Sequence, residues 1–404
     1  MAERRFLTIW VTTALAIAAL VIAFNVLVDP YRMLQWTTVP GVNERRPEIY
    51  SHLRITKTYG VRWLEPHGLI LGSSRVEAGI DPQNPTWNSA PVYNLGLAGA
   101  NIYETFRYLQ HAHAITPISQ AVLGLDFGMF VRFRRPDFDE SRLAVDAAGR
   151  ANAFPIVDVA RNVLSIDATA SSFVTVMSQH RPELRDYRTD GMRKLEPEWI
   201  RLRNLGHRSA FLDVMRLPVD PVDASAYETF AKLLAFCRAQ RIDLRIFISP
   251  SHAWDMERIR LNGAWTYQEE WKRRLVATLE AEPARDRGQT PFPLWDFSGY
   301  NDVTTETVPQ LDDKRSRMKW YWEASHYTNV TGDAVLAVVL GKAERGSVPV
   351  GGFGTLLTSA NIDEHLRITR RDGAEYRSRN PTDIAEIEAQ VGRKRKPDEL
   401  SALN

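Results

Sequence analysis

The chain has 404 residues, 44% of them hydrophobic and 25% charged, and its 51 basic and 49 acidic side chains leave a formal net charge of +2. That balance excludes a disordered chain, a collagen and a strongly basic nucleic-acid binder, and leaves a folded protein with a large core. The lone cysteine, Cys237, excludes an internal disulfide and, in the helical run Phe230–Cys237, reads as a buried structural thiol. In chain order, residues 1–5 carry Arg4 and Arg5, and residues 6–28 contain no charge at all. As a helix those 23 residues span roughly 34 Å, enough to cross a hydrocarbon core. A retained transmembrane anchor is the expectation; a cleavable signal peptide is the alternative, but the apolar run is long and passes straight into Asp29-Pro30. The two arginines place the N-terminus in the cytoplasm and the rest outside, which in a bacterium means a single-pass inner-membrane protein with its domain in the periplasm or beyond.

Residues 29–65 read as a polar connector. From residue 66 to 342 short apolar runs alternate with segments of helical period, the pattern of an α/β domain with a parallel sheet. Five strands are expected, at Gly68–Leu71, Val92–Leu95, Ala121–Leu125, Leu244–Ile248 and Pro293–Asp296. Helices are expected at 102–114, 226–240, 265–281 and 331–340. About a hundred residues separate the third and fourth strands, far more than one crossover needs, so residues 131–220 read as an insertion. It holds a helix near 156–177 and the Arg- and aromatic-rich stretch Trp199–Arg203, read as a solvated face that is also able to meet an anionic or sugar ligand. Residues 343–404 read as a polar extension ending in Arg393-Lys-Arg-Lys396.

Ligands of open parallel sheets bind beyond the carboxyl ends of the strands, so chemistry is sought there. The ends carry Gly72-Ser73-Ser74-Arg75, Gly99-Ala-Asn101, Asp126-Phe-Gly128 and Ser249-Pro-Ser251-His252, and Glu323-Ala-Ser-His326 follows the last strand. A serine needs a base to accept its proton, and a base histidine is commonly held by a carboxylate. Glu323 and His326, three apart, can therefore complete a triad with a serine after the first strand. Arg75 is a candidate for an anionic substrate group or for pairing with Asp81, Asp126 for supporting its loop by accepting backbone hydrogen bonds or for a substrate contact, and His252 for a rival base or a substrate contact. Scattered histidines, with no cysteine pair and no Gly-rich nucleotide loop, give no reason to expect a metal or a cofactor.

This order of motifs resembles the SGNH (GDSL-like) hydrolase superfamily, above all its membrane-anchored members that act in acylation of cell-surface polymers. The resemblance covers about residues 66–342 apart from the insertion. It implies a three-layer α/β/α fold, Ser74 as nucleophile with Ser73 in the slot where the family often has Asp, His326 as base and Glu323 in place of the family's Asp. It also implies an oxyanion hole from the backbone of Ser74 and Gly99, helped by Asn101, because the family's Gly-x-Asn-Asp block has only Gly124-Leu-Asp126 here and an ionised Asp cannot donate. The implied partners are an acylated surface polysaccharide or acyl donor and a polysaccharide export or acylation machinery, with no nucleic acid. An SGNH-like scaffold without turnover, binding a glycan, is the alternative.

Overall fold

The computed structural model describes residues 2–35, 38–131, 136–152, 156–181, 186–195, 197–215, 222–282, 288–313, 315–343 and 353–392. The chain opens with helix α1 (Ala2–Val28), the one helix among the described residues that is long and apolar enough to cross a membrane. Two of its three hydroxyls are satisfied within the helix: Thr8 and Thr12 each donate to the carbonyl one turn back, at 2.8 Å. The stretch read as a polar connector instead holds helix α2 (Leu53–Leu64), which buries nine of its twelve residues against the domain, ends at Glu65 in a left-handed conformation and hands the chain to strand β1 (Gly68–Ser73). A six-residue helix α3 (Ser74–Gly79) follows at once, then β2 (Val92–Leu97), α4 (Ile102–Ile115) and β3 (Gln120–Leu125).

The insertion leaves the sheet after β3 and is closed by a bridge between Val131 and Val222. It contains α5 (Ile156–Val163), α6 (Ile166–Met177), a small hairpin of β4 (Asp186–Tyr187) and β5 (Arg193–Lys194), α7 (Pro197–Leu202) and α8 (Arg208–Met215). The single helix expected near 156–177 is thus two, interrupted at Ser165, whose hydroxyl caps α6 by accepting from the Ala168 N–H at 2.9 Å. The core resumes with α9 (Ser225–Ala239), β6 (Asp243–Ile248), α10 (Ala253–Leu261), α11 (Trp265–Glu280), β7 (Leu294–Asp296) and α12 (Asn329–Val339).

One sheet organises these elements, in the order β2-β1-β3-β6-β7-β8, where β8 is Thr355–Leu357. The first five strands are parallel and β8 pairs antiparallel with β7, so the sheet has six strands rather than the five expected. The sixth comes from the stretch read as a polar extension, which continues with α13 (Ile362–Arg379) and α14 (Pro381–Val391). Both helices are charged on their outer faces but bury Ile362, Leu366 and Ile387 against the domain. The basic run Arg393–Lys396 lies outside the described residues. Alternation along the strands divides the core into two layers. Leu69, Leu71, Leu123 and Ile246 face α2, α4, α9 and α11, whereas Ile70, Val122 and Phe247 face α3, α8, α10 and α12. The chain reverses its winding between β1 and β3, so a crevice opens beyond their carboxyl ends, where Ser74 and Asp126 stand.

Candidate active site

The chain turns from β1 into α3 at Gly72, which has φ +143°, and a Cβ there would lie 2.6 Å from the Gly124 carbonyl oxygen on β3. Only glycine fits this close crossing. Ser73 then caps α3: its hydroxyl accepts from the Arg75 N–H at 3.2 Å and donates to the Asp126 carboxylate. Ser74 is therefore the first residue of the helix, and its own N–H belongs to the first turn, which has no intrahelical acceptor.

A loop 252 positions further on meets it, with the Ser74 hydroxyl 2.8 Å from Nε2 of His326. The loop is tied by a Tyr321–Tyr327 bridge, by the Trp322 N–H donating to the His326 carbonyl at 2.9 Å and by the His326 N–H donating to the Glu323 carbonyl at 3.2 Å. That turn folds the Glu323 carboxylate onto Nδ1 of His326. Ser325, which sequence reasoning passed over, steadies the carboxylate through its N–H at 2.8 Å and its hydroxyl at 2.9 Å. Burial works to raise the Glu323 pKa, but the adjacent His326 ring and the Ser325 donors outweigh it and hold the carboxyl below its ordinary value. An ionised carboxylate on Nδ1 favours the tautomer that leaves Nε2 free to accept the serine proton.

Beside Ser74, Arg75 does not pair with Asp81, which instead meets Arg188 at 2.9 Å. Its guanidinium turns inward, 2.9 Å from Asp255 and 3.4 Å from Asp126, and donates to the Ser251 hydroxyl at 2.5 Å. Burial opposes the Arg75 charge, yet Asp126 and Asp255 outweigh it and push the pKa up. Asp255 is buried as well, which would raise its carboxyl; Arg258, at 2.7 Å, and Arg75 hold it low instead. Sequence reasoning missed Ser251, Asp255 and Arg258 as members of this group. Their signal was position, because all three follow the carboxyl end of β6 and Asp255 and Arg258 share a helix face at i, i+3.

The remaining candidates fall into place with different duties. Asp126 receives a side-chain hydroxyl and an arginine rather than the backbone donors expected of a loop support. Gly99, with φ +64°, lines the cleft beside Ser74. Asn101 serves as the cap of α4, its side-chain oxygen accepting from the Glu104 N–H at 2.9 Å. His252 is neither a rival base nor a substrate contact: it is fully buried, donates from Nε2 to the Glu306 carbonyl at 2.8 Å and caps α10 by accepting from the Trp254 N–H at 3.2 Å. Its enclosure lowers the imidazole pKa to about 4, which keeps the ring neutral.

Ser74 and His326 sit between two cavities. One of about 320 Å³ is lined by Gly99, Asp126, Met129, Trp271 and the Arg75–Arg258 group. The other, of about 290 Å³, is lined by Tyr50, Leu205, Trp322 and the arginines Arg193 and Arg203, so the basic stretch of the insertion borders the site. Among the described residues no group of three or more His, Cys, Asp or Glu side chains could hold a metal ion. Compared with known proteins, the chain matches no protein-family model, no curated protein and no solved structure.

Proposed function

We propose that this chain is a membrane-anchored acyl-transfer enzyme of SGNH-like type, acting through Ser74, His326 and Glu323. The observation that carries the reading is the Ser74 hydroxyl 2.8 Å from Nε2 of His326, whose other nitrogen meets Glu323. In the reaction the Ser74 oxygen attacks an ester carbonyl carbon while His326 takes the hydroxyl proton. The tetrahedral oxyanion then collapses, the C–O bond to the leaving alcohol breaks, and His326 returns the proton to that alcohol. His326 next deprotonates the acceptor, which attacks the acyl carbon; the bond from that carbon to the Ser74 oxygen breaks and His326 returns the proton to Ser74. The backbone N–H groups of Ser74 and Gly99 are the donors we assign to the oxyanion. Two separate cavities meeting at the serine give room for an acyl donor and an acceptor, which favours transfer to a sugar hydroxyl over hydrolysis alone. We assign the substrate to the acylated cell-surface glycans and the location to the outer side of a bacterial inner membrane, with Arg4 and Arg5 inside.

A second reading, an inert glycan-binding scaffold of a polysaccharide export system, draws on Asp126. It stands where the resembling family has a donating Asn, and it is occupied by Ser73 and Arg75. Labelling with a serine-reactive phosphonate separates the two. The enzyme reading expects stoichiometric labelling of the full chain and turnover of an acetyl ester, both abolished in Ser74→Ala, with turnover down about 10⁴-fold or more in His326→Ala. Labelling that survives Ser74→Ala and is lost in Ser73→Ala moves the nucleophile to Ser73, and an unlabelled native protein favours the scaffold.

A further inference from the structure

We propose that the α5–α6 hairpin of the insertion is a second membrane element, a monotopic one, which lays its apolar stripe in the acyl chains of the leaflet from which the domain emerges. The reason is an inverted helix. Along α6, Ile166, Ala170, Phe173, Val174 and Met177 recur at helical period and are all exposed, Ile166 at 88% and Met177 at 74%. The opposite face, buried against the protein, carries Ser171, Ser172 and Thr175. Water would reward the reverse arrangement, whereas a hydrocarbon phase rewards this one. Helix α5 repeats the pattern in part, exposing Ile156, Val157 and Ala160 with the charged Arg161 beside them, and Leu164, just past its end, is exposed as well.

Continuity with α1 identifies the occupant as lipid. Asn25, inside the apolar helix, donates to the Val163 carbonyl at 2.8 Å and to the Thr169 hydroxyl at 2.9 Å, and accepts from Ser172 at 2.9 Å. Phe24 meets Phe173 with ring centroids 4.8 Å apart. Further toward the N-terminus, Ala14, Ile17 and Val21 line one apolar groove with Leu164 and Ile166. Ala14 lies about 16 Å below Asn25 along the axis, so a helix that crosses the bilayer carries this groove and its lining into the hydrocarbon. At the edge of the α6 stripe Asp167 is held by the Tyr31 hydroxyl at 2.5 Å and the His52 ring at 2.8 Å, polar groups suited to the headgroup level. With two attachments instead of one, the domain sits on the membrane in a fixed orientation.

The test uses the full chain in phosphatidylcholine–phosphatidylglycerol liposomes, with an environment-sensitive fluorophore on a cysteine introduced singly as Ile166→Cys, Phe173→Cys or Met177→Cys. These positions are exposed, so the fold tolerates them, and native Cys237 is fully buried. Tyr267→Cys on α11 serves as the water reference and Leu15→Cys on α1 as the lipid reference. The expected result is blue-shifted emission at all three hairpin positions, quenched by nitroxide-labelled lipid as strongly as at Leu15. Emission like that at Tyr267 overturns the proposal. So does a blue shift without quenching, which places a protein partner or a second copy on the stripe. Quenching at Leu15 reports on the anchor by itself, so failure of the hairpin is distinguished from failure of the anchor.

Discussion

The side chains at the mouth of β1 divide their labour by charge. Glu323 touches His326 and not Ser74, so in the proposed triad its part runs through the imidazole, and replacing it by an isosteric amide tests orientation rather than size. Glu323→Gln is expected to lower kcat by about 10²–10⁴-fold with little change in KM, because a Gln amide supports the wrong imidazole tautomer and lacks the balancing charge. Steady-state kinetics on an acetyl ester measure it, and an equal fall in Ser325→Ala would show that Ser325 is as important as the carboxylate it steadies. Arg75 carries a different burden. It stands between two buried carboxylates, Asp126 and Asp255, and Arg75→Met leaves both short of a counter-charge. The expected loss is about 3–5 kcal/mol of stability, read as a shift of the urea midpoint at constant slope. None of these partners could be deduced at the level of composition, since Asp81, Asp126 and Asp255 are chemically equivalent in sequence and only packing chose among them.

The strands were legible because their runs are continuous and apolar, and α4, α9, α11 and α12 because their buried faces recur at helical period. The elements that escaped were short or polar. Helix α3 has six residues, β8 has three, and α13 hides four buried residues among eighteen. Yet α3 sets the geometry of the site, since it holds Ser74 while α12 follows the His326 loop, and the two touch through glycines. A Cβ on Gly332 would lie 1.8 Å from the Gly79 carbonyl oxygen, so that contact exists only because no side chain intervenes. Gly332→Val is expected to push α12 away from α3, carrying His326 out of reach of Ser74. A displacement near 1 Å can cost about 10²-fold in rate, while overpacking of this kind costs about 1–3 kcal/mol. Activity assays beside thermal melts check this, the expected signature being a folded protein with much reduced kcat. Equal losses of activity and folded fraction would show that the contact serves the core alone.

For the whole molecule the buried imidazoles predict an acid limit. Burial lowers His252 to about 4 and His111 to about 3, both below the value of about 6.5 for an unfolded chain. The unfolded state therefore binds more protons, so this contribution is fully present above pH 6.5 and is lost as pH falls toward the folded-state values. Between pH 6.5 and 4 the His252 share amounts to about 3 kcal/mol. Urea unfolding at a series of pH values is expected to show that slope, and His252→Asn, which keeps a helix cap at α10, is expected to flatten it. Glu323 adds its own loss only below the ordinary carboxylate range, because its folded value is depressed. What the sequence determined by itself is whatever depends on near neighbours: the uncharged run of residues 6–28, the alternation of strands and helices, and the glycine turn that ends β1. Glu323 and His326 belong here in part, since three residues of spacing permit their contact and the turn tied by Tyr321 and Tyr327 makes it. The tertiary structure alone decided that the Ser74 hydroxyl and the His326 ring meet across 252 positions, which carboxylates hold Arg75, and that the apolar stripe of α6 faces outward beside α1. Periodicity records how a segment partitions its own side chains, but not which phase lies on the other side. That depends on where the rest of the chain has already closed its core.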